Sequence, residues 1–194
     1  WELDAPRGAD EGLASALEKV ENRLLTILEM VNEWLQFAEA KNAGLVALDA
    51  LALAAILTIL PSAEVAEPVA RGLAAASVLL LLSLGISLWS FLPRSDVGKL
   101  TAAARRPRAT DNLYFYGDVC GYRPEQLAAA IARRYDRIEG YDPRQHPSHV
   151  DLASQVIANS RITVAKNEYF RAATLLALLA LAAWDRSSLK RLPT

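Results

Sequence analysis

Apolar positions along the chain fall into three long blocks and two periodic stripes. The first block runs Ala43 to Leu60, AGLVALDALALAAILTIL, and contains one charge, Asp49. The second runs Gly72 to Leu92, GLAAASVLLLLSLGISLWSFL, and contains none. A hydrocarbon core of ~30 Å takes about 20 helical residues. The pair therefore reads as a transmembrane hairpin, turned by Pro61 and Pro68 in PSAEVAEPVAR. Two core helices of a soluble bundle are the competing reading, against which the uncharged second run argues. A third block, Ala172 to Trp184, holds 13 residues, or ~20 Å of helix. Tyr169 and Phe170 can extend it, Arg171 can snorkel and Trp184 suits an interfacial belt. It is read as a third span; the alternative is a short helix packed on the hairpin.

The first stripe precedes the hairpin. Leu13, Leu17, Val20, Leu24, Ile27, Val31, Trp34 and Ala38 alternate spacings of 4 and 3, a heptad pattern able to run on into the first span. It predicts a helix from near Asp10, used either for self-association or for packing against the chain's own later helices. After the second block Pro93 ends the helix, and a linker rich in breakers and bases leads to the aromatic segment DNLYFYGDVCGYRPEQL. Pro124 opens a helix through about Glu139, with Ala128, Ile131, Ala132 and Tyr135 on one face. EGYDPRQHPS is a loop. His149 or Val150 opens the last long helix, whose stripe is Val150, Ala153, Ile157, Ser160, Val164 and Asn167, and which continues into the third block. No strand pattern stands out. The fold class is all-α: an integral membrane protein with a helical hairpin, a third membrane helix and a cytoplasmic bundle built from extensions of the membrane helices. Its parts are 10–42 (amphipathic helix), 43–92 (hairpin of 43–60 and 72–92), 93–171 (cytoplasmic sensor region) and 172–184 (third span).

Composition sharpens this picture. Of 194 residues 53% are hydrophobic and 22% charged, with 21 Lys and Arg against 22 Asp and Glu. A net charge of -1 lacks the basic excess of a nucleic-acid binder. The lone Cys120 excludes an internal disulfide, and two histidines with one cysteine make a structural zinc site improbable. Arg94, Lys99, Arg105, Arg106 and Arg108 crowd the stretch after the second block, and Lys41 abuts the first, whereas the hairpin loop carries Glu64 and Glu67. The positive-inside rule then places the N-terminus and central region in the cytoplasm. Lys166 and Arg171 agree; Lys190 and Arg191 disagree if the third block crosses. The opening WELDAPRGADEG is polar and shows no secretory signal. DNLYFYG resembles a protease tag site, but Tyr116 stands where Gln is expected, and the segment is read as native.

No catalytic constellation is visible: no Gly-rich phosphate loop, nucleophile elbow or H-E-x-x-H, and no enzyme or cofactor is expected. His146 and His149 flank Pro147 and read as a solvated helix start rather than a metal site. Asp49 is expensive at mid-bilayer. Ser83, Ser87 and Ser90 form a polar stripe on the second span at i, i+4 and i+7. A hydrogen bond from this stripe, within or between chains, is expected to hold Asp49; a hydrated interfacial carboxylate is the alternative. Aromatic faces stack on bases and Arg forks hold phosphate. The segment containing Asn112, Tyr114, Phe115, Tyr116 and Tyr122, near Arg123, Arg133 and Arg134, is thus the candidate site for a nucleotide. Tyr114 and Phe115 are expected to be core anchors instead.

A succession of motifs gives a resemblance over residues 30–184. FAEAKNAGLVALDALAL leads into a hairpin ending SLWSFLPR; NLYFYGDVCGYRPEQL and DLASQVIANSRITVAKNEYFRAA follow before the last apolar run. This order resembles the transmembrane effectors of bacterial Pycsar antiphage systems. The matching positions are Lys41, Ser87, Pro93, Arg94, Tyr114, Phe115, Gly117, Asp118, Gln155, Ser160, Ile162, Lys166 and Tyr169. Asp49 stands where Asn is expected at least as often. The resemblance implies a non-enzymatic effector that senses cUMP or cCMP, assembles as a homo-oligomer in the inner membrane and impairs it. Lys41, Arg123, Arg161 and Lys166 are the candidates for phosphate, and Asn112, Tyr114 and Tyr116 for the base. The expected partners are the lipid bilayer, the cyclic nucleotide and further copies of the chain. Competing readings are an effector gated by a cyclic oligonucleotide and a ligand-free coiled-coil scaffold.

Overall fold

In a computed structural model residues 7–61, 65–92 and 106–189 are described. Among them all regular structure is helical. α1 spans Arg7–Ile59, α2 Glu67–Trp89, α3 Tyr116–Val119, α4 Pro124–Arg134 and α5 Pro147–Leu189, with a 3₁₀ turn at Pro143–Gln145. Prolines punctuate the chain. Pro68 lies in the first turn of α2, Pro124 opens α4 and Pro147 opens α5, where a missing N–H costs nothing. The chain divides into two compact units: residues 1–35 with 96–165, and residues 36–95 with 166–194. α1 and α5 each run unbroken through both.

The first unit has a core of branched aliphatics. Val20, Leu24, Ile27 and Val31 of α1 are wholly buried, with Leu127 and Ile131 of α4, Val156 of α5, and Leu113 and Val119 of the aromatic segment. The heptad stripe is thus occupied within the chain at its central positions. Leu13 and Trp34, at the same spacing, stay 51% and 43% exposed. α4 stops at Arg134 rather than near Glu139. Arg137 takes a left-handed conformation at φ 53°, and the Ile138 N–H returns to the Ala132 carbonyl at 3.1 Å, a Schellman-type ending that buries Ile138. α5 begins at Pro147, two residues before the expected start.

The second unit packs large aliphatics of α1 and α2 against alanines of α5. Leu45 and Ile56 of α1, Leu73 and Ala76 of α2, and Ala173, Ala177 and Ala180 of α5 form its core. Many of its other large apolar residues point outward: Leu51, Leu57, Val78, Leu81, Leu175 and Leu178 are each more than half exposed. α1 and α2 are long and apolar enough to cross a membrane. The 13-residue run of α5 lies inside a continuous helix and falls outside that pair. The positions Pro93, Arg94, Lys99, Arg105, Glu64, Lys190 and Arg191 lie outside the described residues.

Candidate ligand cleft and membrane polar line

The aromatic segment is built by a short-range hydrogen-bond network. Asn112 is exposed; its Oδ1 accepts from the Tyr114 N–H at 3.0 Å, and its own N–H donates to Asp118 at 2.9 Å. Asn112 therefore forms the turn that opens the segment. The Tyr114 hydroxyl meets the Arg23 guanidinium at 3.2 Å, and its ring stands edge-on to Tyr135 at 5.6 Å. Tyr114 is half-buried against the core, as expected of an anchor. Phe115 corrects the same expectation: it is 41% exposed. Tyr116 lies between Trp34 and Phe115, its ring tilted to both, at centroid distances of 5.7 and 4.7 Å. Arg161 on α5 donates to the Cys120 carbonyl at 3.0 Å and towards that of Tyr122 at 3.5 Å, clamping the end of the segment.

Arg23 was not among the sequence candidates. It holds both oxygens of Asp136 at 3.1 and 3.2 Å, and the Asp136 side chain is 3% exposed. The phenol of Tyr114 and the carboxylate together hold its guanidinium firmly charged, above its usual range.

Two clefts open on this unit. One, of about 330 Å³, is lined by Arg108, Leu113, Tyr122, Ala130, Arg133 and Arg134. The Arg133 Nε donates to the Ala129 carbonyl and Arg134 to the Asp111 carbonyl. Tyr122 is buried, its hydroxyl 3.3 Å from Asp111, and burial with that carboxylate raises its pKa. Three arginines thus border an aromatic and aliphatic floor, with Arg133 and Arg134 each tied by one donor to a backbone carbonyl. The other cleft, of about 560 Å³, is lined by Arg123, Glu125, Gln126, Asp142, Pro143 and Arg144. Its two arginines are balanced by two acids. Arg123 precedes α4, and its backbone N–H donates to Gln126.

His149 corrects the solvated-helix reading. It is 3% exposed, and its Nδ1 lies 2.8 Å from the Tyr141 hydroxyl. Tyr141, His146 and His149 stack with centroids 5.2 to 6.0 Å apart. Burial first and then His146 lower the His149 pKa, against Glu21. Burial raises Tyr141 to about 12. No cluster of metal-ligating side chains occurs among the described residues.

The remaining candidates belong to the second unit. Lys41 donates to Asn167 Oδ1 at 2.8 Å and lies over the rings of Phe37 and Phe170. Lys166 pairs with Glu39 at 3.2 Å and donates to the Ser90 carbonyl at 3.0 Å. Both amines are thus engaged within that unit, while Asn112, Tyr114, Tyr116, Arg123 and Arg161 belong to the first. Deeper along the same three helices Asp49 is wholly buried, with the Ser83 hydroxyl 2.6 Å from its Oδ2 and 2.9 Å from the Ala173 carbonyl. Ser87 is equally buried.

Sequence reasoning missed Arg108, Arg23, Glu39 and Asn42. Asn42 carried a signal: it continues the stripe from Ala38 by four residues, with Leu45 and Asp49 following at three and four. The others carried none, since each acts through partners distant in sequence. No curated protein and no solved structure matches the chain. The model of the Pycsar effector protein domain matches residues 23–184, which include both units' helices and the aromatic segment. The chain therefore belongs to the Pycsar effector family, membrane-associated antiphage effectors linked to cyclic pyrimidine signals.

Proposed function

We propose that the first unit binds a cyclic pyrimidine mononucleotide, cUMP or cCMP, and that the second responds by assembling with further copies and impairing the inner membrane. The carrying observation is the cleft of Arg108, Arg133, Arg134 and Tyr122, in a unit that shares α1 and α5 with the apolar one. A cyclic phosphodiester offers acceptors, and so do the ring carbonyls of uracil or cytosine. Guanidinium forks and a phenol are the complementary donors. The three guanidinium groups also favour a bound anion by charge, offset in part by the Asp111 carboxylate that accepts from the Arg108 N–H and lies 3.3 Å from the Tyr122 hydroxyl. α1 and α5 then carry a change at the cleft into the membrane unit, since an unbroken helix transmits displacement along its axis. In this reading Lys41 and Lys166 fasten the membrane unit and do not hold phosphate. The third apolar run completes a three-helix membrane bundle, with the N-terminus and first unit in the cytoplasm.

The test is calorimetry on the detergent-solubilised full chain against cUMP, cCMP, cAMP and cGMP. Selective binding of a pyrimidine is expected, weakened at least tenfold by Arg133→Glu and little changed by Lys166→Ala. Affinity untouched by Arg133→Glu moves the site elsewhere. Folded protein that binds none of the four overturns the reading and favours a cyclic oligonucleotide signal or a ligand-free scaffold.

A further inference from the structure

The membrane unit buries more hydrogen-bonding oxygens than it satisfies. Two levels of polar contact tie its three helices together. At one, Lys166 of α5 joins Glu39 of α1 to the Ser90 carbonyl at the end of α2. At the other, Ser83 of α2 joins Asp49 of α1 to the Ala173 carbonyl of α5. Ser83 and Ser90 are seven residues apart, as are Lys166 and Ala173, so the levels are separated by ~10 Å of helix. Asn42 and Ser87 fall between them. Asn42, Asp49 and Ser87 are each 0% exposed. Asn42 Oδ1, Asp49 Oδ1 and Ser87 Oγ have no partner among the described residues, and neither does Thr174 Oγ1, beside Ala173.

The Ser87 and Thr174 hydroxyls each carry one hydrogen, yet neither oxygen meets a hydrogen-bonding group among the described residues. The single hydrogen of the Ser83 hydroxyl serves either Asp49 or Ala173 at one moment, not both. The Asn42 amide already donates to the Ala38 carbonyl at 3.1 Å. A buried oxygen left alone costs about 1–3 kcal/mol, and four within one unit call for a remedy. Water supplies two donors, and internal water sits where two to four polar groups converge. Ser83, Ser87 and Ala173 are small, and Leu45 and Phe170 pack at the same level.

We propose that Asn42, Asp49, Ser87 and Thr174 bind a file of internal water, giving the membrane unit a wetted line from the Lys166 level to Asp49. The proposal concerns that unit alone and stands whichever nucleotide, if any, the first unit binds. It makes Asp49 the inner end of a hydrated path, not an isolated carboxyl in an apolar bundle.

Water-edited solid-state NMR of the full chain in lipid bilayers tests it. Magnetisation from water should reach Asp49 of α1 and Ser83 and Ser87 of α2 several-fold faster than Ala76 and Leu80 of α2. Transfer as slow at Asp49 and Ser87 as at Leu80 overturns the proposal. Thr174→Val keeps the side chain's shape and gives an independent sign. A hydroxyl bonded to water loses a bond, so the melting temperature falls. A dry, unpartnered hydroxyl is relieved by the same change, so an unchanged or raised melting temperature counts against the proposal.

Discussion

The two units treat their buried polar groups differently. In the first, Asp136 is held by Arg23, His149 faces Tyr141, and Asp111 receives the Arg108 N–H; one buried oxygen, on Ser160, lacks a partner among the described residues. Its core is Leu, Ile and Val. In the second, four buried oxygens lack partners among the described residues, alanines and serines join Leu45, Ile56, Leu73 and Leu80 in the core, and many further leucines face outward. A core of branched aliphatics owes its stability to water exclusion. A bundle with its leucines outside needs lipid around it and close backbone contact within, where small residues serve. The same helices, α1 and α5, obey one set of rules along part of their length and the other set along the rest.

The largest predicted contrast is in deletion of leucines. Leu24→Ala in the first unit should cost about 2–5 kcal/mol by creating a cavity. Leu81→Ala, on the outward face of α2, should change unfolding in detergent by less than about 0.5 kcal/mol. Equal losses in denaturant or thermal unfolding would erase the distinction. Next is Arg23→Ala, which leaves the buried Asp136 carboxylate unpaired. Removing one partner of a fully buried pair costs about 3–5 kcal/mol, and the 36% exposure of Arg23 reduces this to roughly 2 kcal/mol. Arg23→Lys should recover only part of it, because one ammonium cannot span both carboxylate oxygens and the phenol.

The third is a pH effect on the first unit alone. The folded His149 pKa lies below the ordinary 6.5, so the unfolded chain binds that proton more readily. The stability contributed by neutral His149 is present above about 6.5 and is lost as pH falls through the depressed folded value. A melting series from neutral to acid pH should decline in this window, and His149→Gln should flatten the decline. The smallest effect is Gly117→Ala. An added Cβ would lie 2.5 Å from Phe115 Cε1, but Phe115 is 41% exposed and can swing aside, so the loss should be below about 1 kcal/mol. A larger loss would mean that Phe115 is pinned.

Patterning carried much of the architecture. The spacing of Val20, Leu24, Ile27 and Val31 marked one buried helix face, and the uncharged run after Gly72 marked α2. It could not decide what the stripe packs against, because a heptad face looks the same towards another copy and towards α4 and α5. The end of α4 was unreadable for a local reason: Arg137 adopts a left-handed conformation usually marked by glycine. Among the site candidates, the polar stripe on α2 and Asp49 could be paired by depth alone, and Ser83 lies against Asp49. Lys41 and Lys166 looked like anion ligands by charge, whereas their partners, Asn167 and Glu39, are visible only in three dimensions. Arg108 drew attention only for orientation, since its neighbours at the cleft come from α4.

The central claim is that a nucleotide read in the first unit alters the second. Dye release from vesicles holding the reconstituted full chain tests it most directly. The account predicts release on adding cUMP or cCMP, little with cAMP or cGMP, and none above background for Arg108→Ala with Arg133→Glu. Release that is the same without nucleotide, or the same in that double variant, would contradict it.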